Sequence, residues 1–156
     1  MEPFFLGPGE GDAVRNPVGG PLVFKLASAQ CGNATSVLES EAAPGEGPPL
    51  HFHEAEDEWL YVLEGTFRIR LGSDVFPAPA GSFVFVPRGV HHTWQNVGEQ
   101  PGRLLGAFIP PALEEFFDRY AALPPGEATP AAFASLAKEA GMHVVGPPLA
   151  RSHPLD

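Results

Sequence analysis

Between residues 22 and 110 the chain breaks into short apolar runs separated by Gly- and Pro-rich turns. Thr66–Leu71 alternates strictly, with Phe67, Ile69 and Leu71 going one way and Arg68 and Arg70 the other. A period of two is that of a strand with one buried face. Glu58–Leu63 precedes it across Glu64-Gly65, so the two segments predict a hairpin. Further strands are predicted at Leu22–Ala29, Thr35–Ala42, His51–His53, Val75–Pro79, Phe83–Val86, His91–Asn96 and Leu104–Ile109. Phe83–Val86 is apolar throughout, which predicts cover on both of its faces.

After Pro110-Pro111 the period changes. Leu113, Phe116, Phe117 and Tyr120 fall at the i, i+3, i+4, i+7 spacing of an amphipathic helix. Thr129, Pro130 and Gly141 supply the cap, first-turn and stop residues of a second helix over Ala131–Ala140. The pattern therefore predicts three regions: an arm at 1–21, a β domain at 22–110, and a tail at 111–156 of two helices packed on that domain. Phe4, Phe5 and Leu6 make the arm too apolar to stand in water, so it is expected to pack on the β domain or across a dimer. His143 and His153 lie in the tail and are expected to be solvated.

Composition agrees with an all-β sandwich or barrel. Gly and Pro number 18 and 19 of 156 residues, yet 44% of the chain is hydrophobic, so turn residues punctuate a core. The net charge of −10 argues against a nucleic-acid partner, whose phosphates are held by Lys and Arg, and against an anionic membrane surface. A lone cysteine, Cys31, excludes an internal disulfide framework. No run approaches the ~18 apolar residues of a membrane span. The first residues lack a basic, apolar leader pattern, so the expected compartment is the cytoplasm.

Four of the six histidines sit in two windows, His51 with His53 and His91 with His92. Residues i and i+2 of a strand share a face, so His51 and His53 point the same way and Phe52 the other. Glu58 opens the next strand on a face that carries Leu60 and Val62. A carboxylate there is costly unless partnered, and a cation held by imidazoles would partner it. Of the neighbours His91 and His92, only one can face inward. Two surface histidines beside an acidic loop are the plain alternative, since His-x-His alone is a weak signal.

The surroundings change that balance. Gly45, His51, His53, Glu58 and Gly65 fit G-x5-H-x-H-x4-E-x6-G. Gly81, Pro87, Gly89, His92 and Asn96 fit G-x5-P-x-G-x2-H-x3-N. This pair of motifs, separated by residues 66–80, resembles the signature of the cupin superfamily in its short, single-domain form. The resemblance implies a jelly-roll β-barrel, or sandwich, with metal ligands His51, His53, Glu58 and His92, His92 being chosen over His91. Strand parity then sets Trp94 and Asn96 on the side of His92.

Three imidazoles and a carboxylate suit one divalent transition metal per chain, among Fe, Mn, Ni, Co, Cu and Zn. Leu60, Trp94 and Phe108 are expected to line an apolar ligand pocket beside it. The β domain with its Pro-Pro-led tail is similar to bacterial quercetin-dioxygenase-like cupins. That similarity implies a dioxygenase acting on a small enolic or aromatic substrate, with Glu58 both metal ligand and catalytic proton acceptor. An isomerase or epimerase, with His91 as the spare base, and a non-catalytic small-molecule-binding module are the alternatives. The resemblance also implies a homodimer.

Overall fold

The computed structural model describes residues 1–16 and 19–155, so Pro17 and Val18 of the expected arm and Asp156 of the expected tail lie outside the described residues. The strands are β1 (Asp12–Val14), β2 (Leu22–Leu26), β3 (Ser36–Ala42), β4 (Pro49–His53), β5 (Asp57–Glu64) and β6 (Thr66–Leu71). They continue as β7 (Asp74–Pro79), β8 (Phe83–Val86), β9 (His92–Asn96), β10 (Gly102–Ile109) and β11 (Met142–Pro148). The α-helices are α1 (Glu114–Ala121), α2 (Pro130–Glu139) and the short α3 (Leu149–Ser152). Two antiparallel sheets form, ordered β1-β2-β3-β10-β5-β8 and β11-β4-β9-β6-β7. They pack as a jelly-roll sandwich: Val62 and Leu104 of the first sheet meet Phe67, Ile69 and Ala78 of the second in one core cluster.

The predicted hairpin between Glu58–Leu63 and Thr66–Leu71 is instead a corner, since β5 and β6 lie in different sheets. Gly65 makes the corner at φ 90, a conformation that favours glycine. A Cβ on it would stand 2.9 Å from the Gly102 Cα. The hairpin of this region is β6–β7, registered from Thr66↔Pro79 to Leu71↔Asp74. Alternation along β6 holds as read: Phe67 and Ile69 are buried, and Arg68 turns out to Gln95 at 2.8 Å.

Phe83–Val86 is not covered on both faces. As β8 it is an edge strand paired with β5 alone, so Val86 is buried while Phe83 and Phe85 stay 62% and 54% exposed. The first strand is also shorter than predicted, ending at Leu26 before a 3-10 turn at Ser28–Cys31. In the arm, β1 pairs with β2, but Phe4 and Phe5 remain exposed and so are not packed on the chain's own sheets.

Both expected helices form. The Thr129 hydroxyl accepts from the Ala132 N–H at 3.2 Å and caps α2, with Pro130 in its first turn. The tail is not only helical, however. After Gly141 (φ 77) the Val144-Val145 segment becomes β11 and joins the second sheet beside β4, which otherwise would present an open edge. The helices and β11 bury Leu113, Phe116, Ala137 and Met142 against Phe24, Leu38 and Phe108. Burial of a side chain the size of Phe116 stabilises by roughly 1.5–3 kcal/mol. This apolar cluster adjoins the β4 histidines, with Met142 the register partner of His53 and Phe108 against its ring.

Candidate metal centre

Strand β4 carries His51 and His53 inward, and its partner in register, β9, places His92 directly opposite His51. Glu58 reaches across from β5 in the facing sheet. The imidazole centroids stand 4.3 Å (His51–His92), 5.2 Å (His51–His53) and 5.4 Å (His53–His92) apart. One ligand atom from each of the four side chains lies within 4.8 Å of the others, and all four residues are buried.

Hydrogen bonds orient two of the rings. His51 Nδ1 lies 2.8 Å from the Pro49 carbonyl and His92 Nδ1 2.9 Å from that of Val90. Each carbonyl calls for an N–H at Nδ1, which leaves Nε2 of that ring as the inward ligand atom. The Glu58 carboxylate is 2.8 Å from His92 Nε2 and 3.3 Å from His53 Nε2. The longer contact lacks hydrogen-bond geometry, so neither nitrogen of the buried His53 has a hydrogen-bond partner. Leaving a buried polar group unpaired costs about 1–3 kcal/mol. A cation between the four side chains removes that cost, and the donor set fits a divalent transition metal.

Burial, reinforced by His92 and His53, pushes His51 from 6.5 down to about 3. Burial alone would raise Glu58, but the adjoining imidazoles of His53 and His92 outweigh it and hold the carboxyl well below its usual range. His92 also suffers burial, yet its bond to Glu58 raises it. Without metal, burial therefore disfavours a proton on His51, while the contact with Glu58 favours one on His92.

The loops serve the same geometry. The Gly89 N–H donates to the His53 carbonyl at 2.8 Å, docking the second motif onto the first, with Gly89 at φ 78. Asn96 is fully buried, donating to the Ala42 and Gln100 carbonyls, each at 2.9 Å, and accepting from the Gly98 N–H at 2.8 Å; it ties loops together and takes no part in the cluster. His91 is exposed and stacks on Phe52 at 5.3 Å, on the face away from the His51–His53–His92 cluster.

Of the expected pocket residues, Phe108 meets His53 edge-on at 5.2 Å and Leu60 is buried next along the Glu58 face. Trp94 is half-buried and packs edge-on against Phe67 at 5.8 Å. His143, expected in solvent, instead stacks on Phe52 at 4.8 Å and meets Glu54 at 3.1 Å, because β11 holds it there. Sequence reading missed Met142, which β11 places opposite His53, and Gly47, where a Cβ would fall 1.9 Å from the Trp94 carbonyl oxygen. A Gly in the loop before the first His was the one signal for the latter.

A buried His3Glu cluster between the two sheets of a jelly roll is the arrangement of a cupin. Residues 38–108 match the family model described as Cupin domain, and this segment of the chain is a cupin domain. Among curated proteins, a polyketide synthase protein, CurC, of Streptomyces cyaneus is 32% identical over 40% of this chain and 40% of its own length. The tetracenomycin polyketide synthase protein TcmJ of Streptomyces glaucescens is 33% identical over 45% of this chain and 47% of its own. The chain thus spans less than half the length of these two relatives. KdgF from Halomonas sp. superposes with a TM-score of 0.62 over 70% of this chain and 94% of KdgF, at 19% identity, which supports the fold. Among the described residues no helix is long and apolar enough to cross a membrane.

Proposed function

We propose that this chain is a metal-dependent dioxygenase acting on a small molecule that bears an enol or aromatic oxygen. The observation that carries the reading is the buried His51–His53–Glu58–His92 cluster, with neither His53 nitrogen hydrogen-bonded, set in an apolar interior. The three imidazoles would hold one ion at their inward nitrogens. When bound, a redox-active metal supplies Lewis acidity toward the substrate oxygen and electron exchange with dioxygen. Glu58 Oε2, 2.8 Å from His92 Nε2, would ligate the ion and then take the proton of the substrate hydroxyl. Two relatives are named for polyketide synthesis, and polyketides are rich in enolisable ketones.

Isomerisation needs a base beyond the ligands, and the spare candidate His91 stands on the opposite face of its strand. The proposed protein is cytoplasmic, works as a homodimer, and binds neither nucleic acid nor membrane. Oxygen uptake by protein loaded in turn with Fe, Mn, Ni, Co and Cu, in the presence of flavonols, catechols and cyclic enols, tests the reading. Uptake with at least one pair is expected. Product without oxygen uptake would favour an isomerase, and tight binding without product a binding module.

A further inference from the structure

A cleft of about 410 Å³ opens between β7 and β8, the edge strands of the two sheets. That is within the range of ~300–1,000 Å³ typical of small-molecule sites. Ile69, Leu71 and Val84 form its deep part, Phe76 and Phe83 stand at its rim, and Ser82 is its one polar side chain. Strand register joins it to the metal cluster. Leu71 is the direct partner of His92 across β6 and β9. Val84 is the partner of Leu60, the next inward residue after Glu58 on β5. On the other side of the metal cluster Phe108, in contact with His53, packs in one apolar cluster with Leu113, Phe116 and Met142.

Resting on the dioxygenase reading, we propose that this cleft receives the body of the substrate and sets its class: an uncharged, ring-bearing molecule, its metal-binding oxygen directed past Leu71 toward His92. Among the described residues no charged side chain lines the cleft. The two arginines of β6 are engaged elsewhere, Arg70 with the Gly72 carbonyl at 2.8 Å and Arg68 with Gln95. A phosphate or a polyhydroxylated sugar would lose water here and find no side-chain partner but Ser82. Phe76 and Phe83, 49% and 62% exposed, offer aromatic faces that a flat ring covers on binding. Phe76 faces inward as the register partner of Ile69, so it sets the width of the opening.

The test is a fluorescence titration of the full chain with 3-hydroxyflavone, with and without bound zinc, beside glucose 6-phosphate as competitor. Zinc is used because it does no redox chemistry. Wild type should bind the flavonol, more tightly with zinc, and the sugar phosphate should not displace it. Phe76→Ala and Val84→Trp should each weaken binding by roughly tenfold, the first by removing a ring contact and the second by filling the cleft. Zinc content and unfolding temperature are read on the same samples, and the exposed Phe76 keeps the test open if Val84→Trp misfolds. Zinc uptake with flavonol affinity unchanged in Phe76→Ala overturns the cleft while leaving the metal centre standing. No zinc uptake, with flavonol binding still lost in Phe76→Ala, upholds the cleft and defeats the dioxygenase reading. Sedimentation that shows a dimer broken by Phe83→Glu, with no flavonol bound, makes the rim a contact between copies and overturns the proposal.

Discussion

Replacing Glu58 by Gln keeps shape and one acceptor oxygen while removing the charge. In the metal-free chain the carboxylate accepts a 2.8 Å bond from His92 that is charge-assisted. Bonds to charged groups are worth ~1.5–3 kcal/mol against ~0.5–1.5 for neutral ones, so about 1–2 kcal/mol is lost. Burial disfavours the same carboxylate, and relief of that cost offsets part of the loss. The unfolding temperature should therefore fall by no more than about 8 °C. Proton counting is more telling. In the wild type the bond to Glu58 favours the charged form of His92, and zinc must displace a proton held there. In Glu58→Gln that support is gone and burial disfavours the charged imidazole, so zinc binding at pH 7 should release fewer protons. Calorimetry in buffers of different ionisation enthalpy measures this directly. Turnover per bound metal, with any substrate found by screening, should drop by ~10²–10⁴-fold. Equal proton release in both proteins would refute the Glu58–His92 ion pair. Unchanged turnover per metal would reduce Glu58 to a ligand.

Two further outcomes follow from the same geometry. His92→Ala should cost far more metal affinity than His91→Ala, since His91 stacks on Phe52 outside; equal losses in a zinc titration would mean that the strand register is wrong. Without metal, stability should peak near pH 6.5 in urea melts. His51 titrates near 3 when folded against 6.5 unfolded, so its contribution is complete above 6.5 and is lost as pH falls toward 3, with Glu58 adding loss below 4.5. His92, raised by Glu58, contributes fully below 6.5 and loses that contribution as pH climbs through its higher folded value. A urea midpoint that rises from pH 6.5 to pH 5 would contradict this.

Half of the candidate cluster was legible in sequence because strand parity is local: His51 and His53 share a face whatever their strand pairs with, whereas Glu58 as a third member rested on the motif resemblance. The choice of His92 rested on motif spacing, and the β4–β9 register agrees with it. What sequence could not show was non-local. Glu64-Gly65 reads equally as a hairpin turn or as a corner, and only the partner strands, β10 for β5 and β9 for β6, decide between them. Phe83–Val86 reads as a central strand, yet its place at the sheet edge exposes two of its rings. Val144-Val145 is too short a β-favouring run to stand out behind two helices, and it becomes β11 only because β4 has an edge to fill. The cleft between β7 and β8 has no sequence signature at all, since it exists where two edges fail to meet.

The central claim is that His51, His53, Glu58 and His92 hold one transition-metal ion. Its most direct test is metal analysis by mass spectrometry of the wild type and of His51→Ala/His53→Ala, both purified without added metal or chelating resin, with circular dichroism to confirm the fold. The account predicts about one equivalent of a divalent transition metal in the wild type and essentially none in a folded double variant. Equal metal in both proteins would contradict it.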